Sequence, residues 1–432
     1  MMRDPMKVLF VGAWAGGARA VLAAGLALGL GAAVAGAQTT VRMLHVDTNT
    51  NTQAIWDQAA KDFEAEHPGV DVDVQYLENE AYKAKLPTLL QSDEKPNVIY
   101  SWSGGVMRAQ NEAGYLADVT DTASAWTDRF SAGAAKAFNI EGKIVGAPNH
   151  LSEVVFFYNK ELVAKAGVNP DEIETWDDFL AAVKKVKEAG ITPIIIGAGE
   201  KWPIHFYWSY LVMRIGGADA LTGAMAGEGG GFNNETFVEA GEKLKELADL
   251  EPFQDGWLAA LHLQAAGLWG DGKGAFQLMG SWLMNTQKQN ATDGEGLAPE
   301  NIGIMSFPLV EGGKGAPTDT LGGINGWLIT EGSPPEAIEF VKFLLQPKYQ
   351  DMAVEANSYI PSVVESAKKI TDPLNKRMAD DLAASTYHQI FFDQDLGPDV
   401  GRVVNDISVA VAAGDMTPEE GASAVQEAWD FQ

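Results

Sequence analysis

The 432-residue chain contains no cysteine. Disulfides, thiolate zinc sites, iron–sulfur clusters, thiol nucleophiles and lipid attachment through a cysteine are all excluded by that one absence. Basic residues are scarce: 31 Lys and Arg stand against 59 Asp and Glu, for a formal charge of −28. Such a chain lacks the positive surface that nucleic acid or an anionic membrane requires. Catalytic signatures are missing too. There is no H-E-x-x-H, and His45, His67, His150, His205, His262 and His388 are scattered without metal-site spacing. No G-x-S-x-G elbow appears. Gly267 to Lys273 has the spacing of a phosphate loop, but Gly274 stands where Ser or Thr would hold magnesium; a glycine turn feeding a strand is the better account. Among so many carboxylates some pair always suits a glycosidase, so that pattern discriminates nothing. No cofactor and no metal are expected, and no catalysis.

Long apolar runs are also lacking, apart from one short stretch near the N-terminus. Arg3, Lys7 and Arg19 precede Val21 to Val34, built only from Val, Leu, Ala and Gly, and Ala35-Gly36-Ala37 follows before Gln38. A basic start, a short apolar run and an A-x-A step read as a secretory signal over 1–37, cut near Ala37. The competing reading, a membrane anchor, needs about 20 apolar residues. The expected product is an acidic, exported, soluble protein that is not a lipoprotein.

What remains is an ordinary globular composition, 46% hydrophobic and 21% charged, long enough for two lobes with a core each. Val41 to Val46 reads as a strand, and Ile55, Trp56, Ala59 and Phe63 give a helical stripe. Val70, Val72, Val74 and Tyr76 alternate with polar residues as a half-wet strand does, and Asn97 to Ser101 follows as a buried one. The rhythm repeats with a strand at Val154 to Tyr158, a capping box at Thr175 to Asp178 and a strand at Ile191 to Ile196. A helix is expected to start at Ser333-Pro334-Pro335-Glu336, with Ser333 as its cap. Ala218 to Asn234 reads as a Gly-rich loop. The fold class is α/β, and the βαβ rhythm of the first segments implies a lobe with helices packed on a mostly parallel sheet.

Twelve tryptophans are many, and several sit in polar, glycine-containing surroundings. Trp102 and Ser103 follow a strand end, and Trp202 and His205 belong to an aromatic cluster after a Gly-Ala-Gly turn. Trp282 follows Gly280-Ser281, and Gly323 and Asn325 precede Trp327. Loops at strand ends are where open α/β sheets bind ligands. An indole there can stack on the apolar face of a sugar ring while Asn, Asp and His take its hydroxyls. Asp47 and Asn49 come after the first strand, where capping the next helix competes with ligand contact. Asn149 and His150 stand at a lobe crossing, where hinge hydrogen bonding competes. Trp56, Trp176 and Trp327 read as core.

On these residues the sequence resembles the extracellular solute-binding proteins of carbohydrate ABC importers, the group that includes maltose-binding protein. The likeness runs over nearly the whole exported chain. Val154 to Leu162 with Ala166-Gly167 is similar to the strand–Tyr-Asn-Lys–helix signature of that family, and Thr175-Trp176-Asp177-Asp178-Phe179 follows as usual. Lys273 to Trp282 is similar to the segment ending in a sugar-stacking tryptophan. The resemblance implies a periplasmic-binding-protein fold, with two α/β lobes joined by hinge strands and an interlobe ligand cleft. The lobes it implies are 38–148 plus 311–358, and 149–310 plus 359–432. Trp282 carries over as the stacking residue, and Trp102, Asn149, Gly323 and Tyr359 fall in matching cleft segments. The expected function is a monomeric periplasmic receptor that binds a neutral di- or oligosaccharide and delivers it to an inner-membrane ABC permease through a transient contact. A same-fold receptor for a polyol or glycerol phosphodiester is the alternative, and Arg108, Arg129 and Arg214 are the residues an anion would want. A secreted glycosidase and an interaction module are more distant ones.

Overall fold

The computed structural model describes residues 38–123 and 126–432; the expected signal segment, 1–37, lies outside the described residues. Chain order begins Thr39–His45 (β1), Thr50–Glu66 (α1), Val70–Tyr76 (β2), Asn79–Leu89 (α2), Val98–Ser101 (β3) and Gly104–Glu112 (α3). α1 forms because Ile55, Trp56, Ala59, Ala60 and Phe63 fall on one face and are buried together, and the Asn49 side chain caps it by accepting from the Asn51 backbone N–H. β1 lies parallel to both β2 and β3.

After a short hairpin of Asn139–Ile140 and Lys143–Ile144, the strand Gly146–Asn159 (β4) is unusually long and changes partners halfway. After it come Trp176–Glu188 (α4), Trp202–Gly216 (α5), His262–Gly270 (α6), Phe276–Gly280 (β5), Leu283–Asn290 (α7), Ile302–Met305 (β6) and Thr320–Ile329 (β7). Pro335–Leu344 (α8), Ile360–Pro361 (β8), His388–Ile390 (β9), Phe392–Asp395 (α9) and Pro398–Ala413 (α10) complete the elements that position the site. The sheet order is β8-β4-β7-β3-β1-β2, with β9 on β7 and both β5 and β6 on β4. Gly146 to Glu153 pair antiparallel with β7, with an irregularity at Asn149, and Val154 to Asn159 pair with β5 and β6. β7 makes the reciprocal change, from β9 at its start to β3 at its end.

Two cores follow from that crossing. One gathers Val41, Trp56, Tyr100, Trp327, Phe340 and Tyr349, and Tyr359 and Val363 pack with it. The other gathers Phe156, Trp176, Phe179, Trp208, Phe276 and Val404. Trp56, Trp176 and Trp327 are fully buried, as their positions on helix and strand faces suggest. Side chains of this size contribute several kcal/mol each when truncation leaves a hole, so each lobe has its own source of stability.

Some local expectations fail for identifiable reasons. Ile191 to Ile196, buried from Pro193 on, forms only isolated bridges at Ile194, to Phe253 and Phe276, since Pro193 has no N–H to give a ladder. The helix after Ser333 starts one residue later, at Pro335, with Pro334 as its cap. Ser333 Oγ instead donates to the Asn97 carbonyl. Within Ala218–Asn234 the chain forms a helix at Ala220–Met225 and a 3₁₀ turn at Glu228–Asn233. The capping box at Thr175 is present, with the Thr175 hydroxyl and the Asp178 carboxylate each taking a backbone N–H of the other. No helix among the described residues is long and apolar enough to cross a membrane.

Candidate functional site

Where the ends of β1, β3 and β5 meet the starts of α5 and α9, side chains from both cores enclose a cavity of about 140 Å³. Of the residues expected at the site, Asp47, Asn49, Trp102, His150, Trp202, His205, Trp282, Asn325 and Tyr359 line it. Ser103, Asn149 and Gly323 do not.

The indoles form the walls. Trp202 and His205 stand on the first turn of α5 instead of a loop, with Lys201 at φ +67° turning the chain into the helix. Their three-residue spacing puts both on one helical face. Trp282 lies 6.1 Å from Trp202, 6.4 Å from Phe206 and 6.1 Å from Phe391 between ring centres. It folds back over the end of β5, and a Cβ at Gly280 would collide with its ring, so the glycine in Gly280-Ser281-Trp282 is what lets the indole lie there. From the other core, Trp102 meets Tyr100 edge-on at 5.2 Å and Tyr82 at 5.8 Å. Tyr359 stacks between Trp56 at 5.9 Å and His150 at 4.8 Å.

Polar groups close the floor. Asn325 Nδ2 lies 3.0 Å from His150 Nε2, whose other neighbour is the Tyr100 hydroxyl at 3.3 Å. Burial pushes the His150 pKa down to about 3, so the ring is neutral. The Trp56 indole donates to Asp47 at 3.0 Å, yet burial dominates and raises that carboxyl to about 6. Asn49 is both the α1 cap and the acceptor of a hydrogen bond from Gln289 Nε2, 3.2 Å away on α7 in the other lobe. His205 Nδ1 donates to the Trp202 carbonyl at 2.6 Å, and its Nε2 faces Asp393 at 3.8 Å.

The three residues left out have structural reasons. Ser103 sits at φ +61° with its hydroxyl donating to the Trp102 carbonyl, fully buried. The glycines after it let α3 press on α9, for a Cβ on Gly105 would strike the Asp395 and Gly397 backbone. Asn149 is inside the hinge, accepting from Gln350 Nε2 at 3.1 Å. Gly323 lies under Asn325 and Phe391, and a Cβ there would collide with both side chains. Its part is to make room, and its N–H donates to Ser152 Oγ.

Sequence reasoning missed Tyr100, Lys83, His262, Phe391, Asp393 and Gln394, which also line the cavity. Lys83 Nζ is 3.3 Å from Asp393 and 3.3 Å from Glu80. Lys83 and His205 offset the burial of Asp393 and keep its carboxyl below the usual range. Glu200 holds His262, taking Nδ1 at 2.8 Å and its backbone N–H as well. Glu200 had no sequence signal, whereas Ser281 and His262 stood beside features already singled out. Of the three arginines an anion would want, none lines the cavity: Arg214 is buried among the carbonyls of Phe307, Ala316 and Asp319, Arg108 pairs with Asp395, and Arg129 reaches the Leu345 carbonyl.

Two lobes joined by partner-switching strands, closed over an aromatic cavity fed by both, define a two-lobed ligand-binding protein. The chain belongs to the bacterial extracellular solute-binding proteins, whose family model matches residues 47–351. An uncharacterized ABC transporter extracellular-binding protein of Pyrococcus horikoshii is 24% identical over 358 residues, covering 78% of this chain and 79% of the relative. A multiple sugar-binding protein of Streptococcus mutans is 24% identical over 265 residues, 59% of each chain. A structure from work on xylan utilization by the thermophilic bacterium Caldanaerobius polysaccharolyticus superposes with a TM-score of 0.83 at 25% identity, covering 90% of this chain and 99% of that one. The family and the Pyrococcus relative are extracellular binding proteins by description.

Proposed function

We propose that this chain is the sugar-binding component of an ABC importer: it closes on a neutral di- or oligosaccharide and hands it to a membrane permease in a transient contact. The observation that carries the reading is the pairing of indoles from both lobes, Trp102 on one side and Trp202 with Trp282 on the other, around neutral hydrogen-bonding groups. Aromatic faces stack on sugar rings, and Asn325, Asn49 and neutral His150 suit hydroxyls. The lone cavity lysine is already paired with Asp393 and Glu80, which argues against an anionic solute. The relatives and neighbours named above point the same way.

The lobes are 38–148 plus 311–358 and 149–310 plus 359–432; the two cores follow this division except that Tyr359 and Val363 pack in the first and Leu321 and Val354 in the second. The protein acts as a monomer in the periplasm after loss of 1–37, without lipid anchor, cofactor or catalytic turnover. Ligand favours the closed form because only there do both lobes touch it. A micromolar constant corresponds to about −8.2 kcal/mol, within reach of a few hydrogen bonds at about 0.5–1.5 kcal/mol each plus stacking.

The test is intrinsic tryptophan fluorescence of the ligand-free protein titrated with mono- and oligosaccharides, polyols and a glycerol phosphodiester. A saturable change with one sugar series is expected, and Trp282→Ala should weaken it at least tenfold while the protein stays folded. Saturation by the phosphodiester alone would replace the sugar reading, and turnover of a chromogenic glycoside would make the protein an enzyme.

A further inference from the structure

Successive side chains of a strand point to opposite faces of its sheet, and the hinge uses both faces. His150 and Asn325 pair across β4 and β7 and line the aromatic cavity, while their neighbours Leu151 and Ile324 pair and turn the other way. Tyr359 and Ile360, where β8 begins, divide in the same manner. Leu151, Ile324 and Ile360 thus floor a separate cavity of about 710 Å³ on the back of the hinge.

Its sides come from both lobes. Ala134, on the helix Ala132–Ala137, belongs to the first core. Ala379 and Leu382 lie on the helix Pro373–Ala384, whose Met378 is buried in the second. The size is that of an ordinary small-molecule site, roughly 300–1,000 Å³. Apolar side chains are left open there: Leu151 and Ile324 are only partly buried although they lie within the sheet, and Val364 is 37% exposed.

One polar group of the wall lacks a partner, and its neighbours fix its proton. Ser385 Oγ gives its single proton to the Tyr387 carbonyl at 2.8 Å, so it accepts in its 3.0 Å contact with Thr320. The Thr320 hydroxyl is thereby spent, and it accepts from His388 Nδ1 at 2.9 Å. His388 Nε2 then carries the lone pair, and it is buried with no hydrogen-bond partner. Such an acceptor calls for a donor. Lys376 is paired with Asp380 at 2.7 Å and Lys368 with Glu365 at 2.6 Å, so the lysines lining the cavity leave no free cation for an anion.

The width of the cavity is tied to the hinge. The contacts of Arg108 with Asp395 and of Gln289 with Asn49 shut the front of the molecule. A rotation about the crossing strands that closes the front spreads the back. A molecule that fills the back therefore binds the closed form better than the open one.

We propose that this cavity is a second ligand site, for a neutral, mainly apolar molecule whose hydroxyl donates to His388 Nε2, and that its occupant favours closure of the lobes. The site is independent of which solute the aromatic cavity takes.

The probe is para-tert-butylphenol, with its methyl ether as the control that cannot donate. Calorimetry on the sugar-free protein should show the phenol binding at one site, at least threefold more tightly than the ether. Ala379→Phe, which puts a phenyl ring into the cavity, should weaken the phenol at least tenfold, while Trp282→Ala leaves it within twofold. His388→Leu should abolish the preference for phenol over ether. In solution scattering, saturating phenol should lower the radius of gyration of the sugar-free protein. If Ala379→Phe fails to fold, the phenol-to-ether ratio in His388→Leu decides. No saturable binding, or binding lost in Trp282→Ala and kept in Ala379→Phe, overturns the site. Equal affinity for phenol and ether overturns the part of His388, and a radius unchanged by bound phenol overturns the coupling to closure. The sugar reading stands or falls separately, on the titration above.

Discussion

Glu153 shows what a single side chain can cost. It sits in the middle of β4, opposite Gly322, 2% exposed, with Oε2 lacking a hydrogen-bond partner. Burial is the main cause that raises its carboxyl to about 9, with Asp381 adding to it and Arg377 and Arg214 opposing. Its folded pKa therefore lies above the ordinary 4.5, and between those values the folded state holds a proton that the unfolded chain has released. The stability from that proton is complete below about pH 4.5 and is lost as pH rises toward 9, with a limiting slope of about 1.4 kcal/mol per pH unit. Glu153→Gln should flatten the fall of Tm between pH 6 and 9, measured by thermal unfolding, and leave the variant more stable than the wild type at the upper end. An unchanged slope would mean that the carboxyl is ionised in the folded protein. Among the aromatics, Trp56, Trp176 and Trp327, which read as core, are fully buried, and Trp102, Trp202 and Trp282 line the cavity, Trp202 while also packing in a core. What context could not show was Asp393, an aspartate between Phe392 and Gln394 with nothing local to mark it.

At the scale of elements, caps and periodicity were the readable signals because they are local. The stripe of α1 and the capping box of α4 both depend only on residues within a turn of one another. Thr175→Ala should lower stability by about 1 kcal/mol, within the usual 0.5–2 kcal/mol for a lost cap. Since α4 contributes nothing to the cavity, ligand affinity should stay unchanged; chemical denaturation and a titration read the two effects separately. The cluster at Trp202 misled as a loop because Gly197-Ala198-Gly199 looks like a turn running on. In fact Pro203 sits in the first turn of α5, where its fixed φ favours a helix and its missing N–H costs nothing. The length of β4 was also hidden, since Gly146, Pro148 and Asn149 look like breakers and are tolerated at a hinge where the ladder is irregular.

For the whole molecule the question is how the lobes stay together. Arg108 on α3 donates to the Asp395 carboxylate at 3.0 Å and to its carbonyl at 2.9 Å across the lobes. Gln289 reaches Asn49, and the Asn285 amide donates to the Asn357 carbonyl at 2.6 Å. The Arg108 pair is partly exposed, so it is worth about 0.2–1 kcal/mol and biases closure without locking it. Arg108→Ala should shift the ligand-free protein toward the open form, seen as a larger radius of gyration in solution scattering. It should weaken ligand binding about two- to fivefold through faster release. A radius unchanged from the wild type would show that this pair does not hold the lobes.

The sequence by itself determined the α/β alternation, the absence of cysteine chemistry, the negative net charge and the abundance of tryptophan. Each follows from composition or from contacts within a turn or two of chain. Only the tertiary structure decided that Ser103, Asn149 and Gly323 serve turn, hinge and clearance, and that Lys83 and Asp393, 310 positions apart, meet at the cavity wall. The crossing of β4 and β7 brings those distant segments together, and no local pattern encodes which loops end up facing each other once two lobes close.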